Sequence, residues 1–478
     1  MRNHLSKSSW KNGAIASVFV AMTIAAQSPQ QPPAAAPQQP SAPQQPSAIE
    51  VRITGEPGVA PRYAVPDFVA TTPAAAETAK MLAQVLWDDL NFEREFYMIP
   101  RDTSATIPMP RSGAEQVNFD AWRELGADAV FFGTVAQKGE DILVQVRLLN
   151  VRTRQSAFAQ EYTVRARSAR QIAHTVSDAV LLQQTGITGV ARTRITFISD
   201  RNNESVLGTV QKRNVKEVYV TDYDGANQQR ITTTRQLNLN PTWSADARAI
   251  AYAGFRNDRG ADIFMSFIYT GVLQNLTKGR FASGAALPVF SPDGKQVLLA
   301  ASPPGGSAYD LWVMNVDGSN LRRLTTHPDS ETTPTWSPSG SQIAFVSDRL
   351  GVGREQIYII NADGSGLYRL PIPDNQVDRP TWAPAPYNEI AYAARTGPGY
   401  DIKVHELTTG ITRQLTFGEG TNESPAYSPS GRHVAFTSTR AGNVQVFTVG
   451  RDGNGLRQIT RAGNNQTPDW SNPPGAAK

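Results

Sequence analysis

Six copies of one motif, a proline, any residue, an aromatic and then serine or alanine, divide the C-terminal part of the chain. They are Pro241/Trp243/Ser244, Pro288/Phe290/Ser291, Pro334/Trp336/Ser337, Pro380/Trp382/Ala383, Pro425/Tyr427/Ser428 and Pro468/Trp470/Ser471, with prolines 47, 46, 46, 45 and 43 residues apart. A second marker keeps the same beat: Asp224-Gly225, Thr270-Gly271, Asp317-Gly318, Asp363-Gly364, Thr409-Gly410 and Asp452-Gly453. Each period resolves into four short strands. In the copy at Pro288, the turn Ser291-Pro292-Asp293-Gly294 leads to Gln296–Ala301, then come the alternating run Asp310–Val316, the Asp317-Gly318 turn and Leu321–Thr325. Four strands in about 45 residues is the signature of a β-propeller blade.

A single blade cannot bury both faces of its sheet, so blades stack radially until the ring closes. The first copy starts at Arg194 with its second strand and has no aromatic motif before it, whereas Pro468–Ser471 supplies the motif with nothing after it. The expected closure therefore pairs the C-terminal strand with the N-terminal blade. The strict spacing of Trp243, Phe290, Trp336, Trp382, Tyr427 and Trp470 assigns these rings to the space between blades rather than to ligand stacking.

Upstream, Arg2, Lys7 and Lys11 precede an apolar run, Ala14–Ala26, which reads as a secretory signal peptide over residues 1–26 and is too short to span a bilayer. Residues 27–48 contain almost only Gln, Pro, Ala and Ser, and are expected to form an extended, disordered tether. The chain has 46 basic and 42 acidic residues, but three of the basic ones lie in the first 26. The remainder is close to neutral, without basic runs interleaved with aromatics, so no nucleic-acid partner is expected. The absence of cysteine excludes disulfides, thiolate metal sites, a thiol nucleophile and lipidation of an N-terminal cysteine.

Residues 49–190 read as an α/β domain, ahead of an all-β propeller over 191–478. Extended segments are expected at Val51–Thr54 and Tyr63–Val69, and a helix starting at Thr72-Pro73 with an apolar stripe through Met81, Leu82, Val85 and Leu86. A helix around Asn118–Leu125, strands at Ala129–Val135 and Ile142–Leu149, and a helix at Arg170–Gln184 complete it. The order of parts then becomes diagnostic: Glu50-Val51-Arg52-Ile53, Val65-Pro66-Asp67-Phe68, Trp122 through Asp128 leading to Phe132-Gly133, Ile172-Ala173-His174, Thr185-Gly186 and six blades. Together they resemble the TolB family of the Tol-Pal system.

That resemblance implies a periplasmic, non-enzymatic scaffold that supports outer-membrane integrity and constriction at cell division. It also implies that one propeller mouth binds the lipoprotein Pal, and that a strand at Glu50, Val51, Arg52 and Ile53 binds the inner-membrane protein TolA by adding to a sheet edge. The tether before that strand is a departure from the family pattern. Loops entering the first strand of each blade gather around the channel, so Asn238, Asn240, Glu331, Asp378, Arg379, Asn422, Glu423, Asn465 and Gln466 are the expected Pal-facing residues. The expected state is a monomer without a membrane span.

Arg170, His174 and Asp178 share one helix face, but two ligands without a third make an ion-paired face the better reading than a metal site. The other histidines are scattered, and no catalytic, cofactor or metal residues are expected. The competing reading is a propeller-based glycosidase or lyase, which needs carboxylates or a metal in the channel. An oligopeptidase is excluded by the lack of a Gly-x-Ser-x-Gly elbow.

Overall fold

The computed structural model describes residues 52–53, 59–111, 113–205, 215–257, 260–281 and 283–475. The expected signal peptide and tether, and Glu50 and Val51 of the expected partner strand, lie outside the described residues.

The N-terminal domain runs β1 (Arg62–Ala64), β2 (Val69–Ala70), α1 (Ala76–Glu93), β3 (Tyr97–Met98), α2 (Arg101–Ser104), α3 (Phe119–Glu124), β4 (Ala129–Lys138), β5 (Asp141–Asn150), β6 (Ser156–Arg165) and α4 (Ala169–Thr185). The sheet order is β3-β1-β4-β5-β6, with β2 also beside β4. Leu149, at the end of β5, is buried on the opposite side of the sheet, but Ile142, Val144, Val146 and Leu148 alternate with exposed residues, the period of a sheet covered mainly on one face. Helices α1 and α4 cover that face through Leu82, Leu86 and Leu90 against Val176, Val180 and Leu181.

Two local expectations change. Pro73 does occupy the first turn, but the extended Thr72 makes no side-chain cap; its hydroxyl accepts a bond from the Gln137 N–H (2.8 Å), fixing the helix start to the sheet. Strand β6, absent from the sequence reading, is an edge strand that buries only Ala157 and Phe158, too few apolar positions to leave an alternating signature.

The C-terminal domain is a six-bladed propeller of four-stranded antiparallel sheets. The innermost strands of blades 2 to 6 are Asn238–Trp243, Ala285–Phe290, Glu331–Trp336, Val377–Trp382 and Asn422–Tyr427; in blade 1 the innermost strand is Asn465–Trp470. This last strand pairs with Arg194–Ser199 in the register Trp470↔Ile195, and the Ser471 N–H donates to the Arg194 carbonyl (2.8 Å). The motif aromatics pack against the preceding blade. Trp243 lies on Val218 and Val220, Trp336 on Leu311 and Val313, and Trp470 on Ala435 and Val446, its indole N–H donating to Thr193 Oγ1 (2.7 Å). Trp382 is only half-buried.

The N-terminal domain meets the propeller at turns of blades 6 and 1. Phe92 stacks on His433 at 4.1 Å, Arg432 donates to the Glu93 carbonyl (2.6 Å) and pairs with Glu95, and Arg94 pairs with Asp452 (3.0 Å). Burial pushes the Glu93 carboxyl up to about 7, against the Val190 N–H and Arg432. Burial, helped by Arg432, pushes His433 down to about 3. The three residues sharing one face of α4 each take a different partner: Arg170 pairs with Asp224, His174 with Asp89 (2.8 Å), and Asp178 with Arg192 (3.0 Å). Tyr223 of blade 1 also donates to Asp89 (2.6 Å), so this face belongs to the joint between the domains.

Candidate partner-binding face of the propeller

The joint uses the turns after the first and third strands of a blade. Because successive strands run antiparallel, the loops that enter the first strands lie at the opposite face, around the channel mouth. Every innermost strand breaks its pairing register at the motif proline and the residue before it. The break is a bulge whose residue, always the one before the motif proline, has positive φ: Asn240 51°, Leu287 56°, Thr333 45°, Arg379 49°, Ser424 55° and Thr467 49°. A non-glycine residue rarely adopts this conformation, and one before proline is usually extended, so six repeats of it form a built feature of the channel.

These six residues, the six prolines and the residues that follow them line a channel pocket of about 140 Å³. Arg379 is the one cation in that lining and Asp469 the one carboxylate. Arg379 reaches from blade 5 to blade 2, where its terminal nitrogens lie 3.1 and 3.0 Å from the Asn240 carboxamide, which accepts from both in the orientation that turns its oxygen toward the guanidinium. Its own N–H donates to the Asp378 carboxylate (2.8 Å). Burial pushes Asp469 up to about 6 although the Trp243 N–H (2.7 Å) and Thr242 hydroxyl (3.0 Å) donate to it. Crowding by protein and the nearby Asp378 charge hold Glu423 above the usual carboxylate range, with Arg379 opposing. Gln466 accepts from the Lys216 ammonium (2.6 Å).

The nine expected face residues divide in two. Asn240, Asp378, Arg379, Glu423 and Gln466 stand at the channel or its rim, half-buried or exposed. Asn238, Glu331, Asn422 and Asn465 do not present themselves to a partner: each opens its strand fully buried and is bonded inside the ring. Asn238 accepts from Arg256 (2.9 Å), Asn422 from Arg440 (3.0 Å) and Asn465 from Arg201 (3.0 Å), while Glu331 pairs with Arg349 (2.6 Å). The asparagine amides also cross to the preceding blade, Asn238 to Glu217 (2.9 Å), Asn422 to Asp401 (3.0 Å) and Asn465 to Gln445 (2.8 Å). The bulge decides this: residues two apart share a face in an unbroken strand, whereas the left-handed residue before the proline turns its side chain out of that alternation and toward the lumen.

The arginines that donate to Asn238, Glu331, Asn422 and Asn465 escape the sequence reading. Each stacks on rings of its own blade, Arg201 on Tyr219 (4.6 Å), Arg256 on Phe264 (4.6 Å), Arg349 on Tyr358 (4.3 Å) and Arg440 on Phe447 (5.2 Å). Recurrence of Ser199-Asp200-Arg201 as Ser347-Asp348-Arg349, and as Ser438-Thr439-Arg440, was the available signal.

Of the expected TolA-binding strand, Arg52 is exposed and Ile53 is buried in the N-terminal domain core, its N–H donating to Gln184 Oε1 of α4 (2.8 Å). Among the described residues no helix is long and apolar enough to cross a membrane, and no group of three or more acidic or histidine side chains could hold a metal ion.

Comparison with known proteins agrees with this architecture. The family described as TolB beta propeller domain matches residues 182–472 and that described as TolB amino-terminal domain matches residues 49–157. The Tol-Pal system protein TolB of Desulfosudis oleivorans is 31% identical over 276 residues, 55% of this chain and 57% of that protein. Its counterpart from Anaeromyxobacter dehalogenans strain 2CP-C is 31% identical over 298 residues, 62% of each chain. The alignments thus span less than two thirds of these relatives. The crystal structure of TolB from Acinetobacter baumannii shares the fold with a TM-score of 0.70 at 24% identity, over 86% of this chain and 97% of that one. With its propeller and its amino-terminal domain both matched, the chain belongs to the TolB family.

Proposed function

We propose that this chain is a monomeric periplasmic adaptor of the Tol-Pal system. Its channel mouth binds the Pal lipoprotein, its strand at residues 50–53 binds TolA, and the link supports outer-membrane integrity and constriction at division. The observation that carries the reading is the ring of six bulges: it holds varied side chains, among them Asn240, Arg379 and Ser424, at fixed positions around a mouth opposite the turns that the described residues of the N-terminal domain contact. Family membership supplies the identity of the partners. A channel carboxylate pair, which a glycosidase would need, has little support, since Asp469 is the single acid of the pocket lining and is bonded to the wall.

The placement of Ile53 supports a coupling between the two partner sites. Ile53 bonds to Gln184 near the end of α4, and α4 reaches blade 1 through Arg170 and Asp224. Pal binding that shifts the propeller against α4 would then alter the balance between a docked and a free strand.

The test is calorimetric titration of the mature chain with the lipid-free soluble domain of Pal. Arg379→Ala combined with Glu423→Lys is expected to weaken binding about tenfold or more, the range for residues central to an interface. Unchanged affinity removes this face from consideration. Deleting residues 49–54 is expected to change Pal affinity as well; if it does not, the two sites are independent.

A further inference from the structure

We infer that the junction of blades 2 and 3 holds an anchor pocket for one leucine- or phenylalanine-sized side chain of the protein that docks at the channel mouth; the inference rests on the Pal-facing assignment above and deepens it. The pocket follows from a fault in the repeat. In blades 1, 2, 4 and 6 the first residue of the innermost strand is Asn or Glu, and it clamps an arginine that stacks on that blade's rings. Blades 3 and 5 break the pattern: blade 5 has Val377 and Thr396 at the two positions, and blade 3 has the smaller Ala285 with Pro303.

Neither clamp side chain is present in blade 3, and beside Ala285 lies a cavity of about 170 Å³. Its floor is Ala253 and Ala285, each only 1% exposed, and its half-buried rim includes Leu239, Phe255, Ala286 and Tyr309. The wall beside Gly284 is backbone and cannot be narrowed by a side chain: Gly284 has φ 93°, and a Cβ there would stand 2.7 Å from the Ala261 nitrogen.

Size and chemistry select the occupant. A dry cavity of roughly 150 Å³ lined by apolar side chains accepts a benzene ring; apart from Ser283 and Tyr309 the side chains of this lining are alanine, leucine and phenylalanine, which offer none of the two to four polar partners a water needs. Position selects its source. Leu239 and Ala286 of the rim are followed directly by Asn240 and Leu287 of the channel lining, so a body seated on the mouth covers the pocket as well. Buried anchors of this kind, set beside a polar rim, carry a disproportionate share of binding energy.

The experiment uses the mature chain, the lipid-free Pal domain and benzene as a small apolar probe. Ala286→Leu fills the pocket from its rim; it is expected to weaken Pal binding about tenfold or more, with Ala286→Val intermediate, while the melting temperature stays near wild type. Benzene is expected to raise the melting temperature of the wild type and not of Ala286→Leu. Full Pal affinity in Ala286→Leu, alongside weakened binding in Arg379→Ala, overturns the anchor pocket and leaves the face assignment standing. Unchanged affinity in both variants removes the face and the pocket together. A wild type that benzene does not stabilise also overturns the inference, whatever the Pal result.

Discussion

Replacing Asn238 by leucine, a side chain of similar shape, separates the two roles that the mouth residues divide between them. Asn238 is fully buried; its amide donates to the Lys216 carbonyl (2.8 Å), Glu217 (2.9 Å) and Thr234 (3.1 Å), and its oxygen accepts from Arg256 (2.9 Å). Leucine retains the packing but removes the shortest acceptor of the Arg256 guanidinium, leaving it the longer contacts to the Phe255 carbonyl (3.4 Å) and the Tyr252 hydroxyl (3.5 Å), and removes one donor from the buried Glu217. A stranded buried group costs about 1–3 kcal/mol, more when charged, and Glu217 retains donors in Thr232 and Arg230, so the expected loss is about 2–4 kcal/mol. The matched control lies two places along the strand: Asn240→Leu puts into one bulge the residue that Leu287 already places in another, and is expected to cost less than about 1 kcal/mol. Urea unfolding followed by tryptophan fluorescence measures both. Pal affinity of the folded protein should fall in the second variant and hold in the first. A loss below about 0.5 kcal/mol for Asn238→Leu, the size of an ordinary surface change, would refute the argument that this position welds the blades.

Trp470→Ala removes a buried ring from between blades 6 and 1 and the bond to Thr193, so a stability loss of about 3–5 kcal/mol is expected in the same assay; a change under about 1 kcal/mol would mean that the last strand does not hold the ring closed. His433 has a folded pKa depressed below its unfolded value near 6.5, so its contribution is intact above that pH and is lost as pH falls toward 3. His433→Phe, which preserves the stack on Phe92, should flatten this acid-side slope of up to about 1.4 kcal/mol per pH unit; an unaltered slope contradicts the assignment. Glu93 has the opposite sign: its folded pKa is raised, so stability present below about pH 4.5 is lost as pH rises through about 7. Glu93→Gln should therefore gain on the wild type at neutral pH and converge with it in acid.

Blade number and the inward packing of the aromatics were legible because both follow from periodicity: Trp243 and Trp336 must fill equivalent spaces if their surroundings repeat. The two long helices and the β4–β5 pair were legible for the same reason, their apolar stripes facing one core. What stayed hidden depends on direction rather than period. Asn238 and Asn240 lie in one short motif, yet the bulge between them and the aromatic sends one into the ring and the other toward the lumen. The joint between the domains was hidden too. Phe92 at the end of α1 and His433 in blade 6 are separated by most of the chain, and no local pattern in either segment foretells their stack.

The left-handed residue before each motif proline has a consequence for how such a protein can change. The lumen geometry is set by main-chain path, and the six side chains carried there, Asn, Leu, Thr, Arg, Ser and Thr, range from a hydroxymethyl to a guanidinium. Recognition chemistry can accordingly be rewritten one wedge at a time while the wheel that displays it keeps its shape.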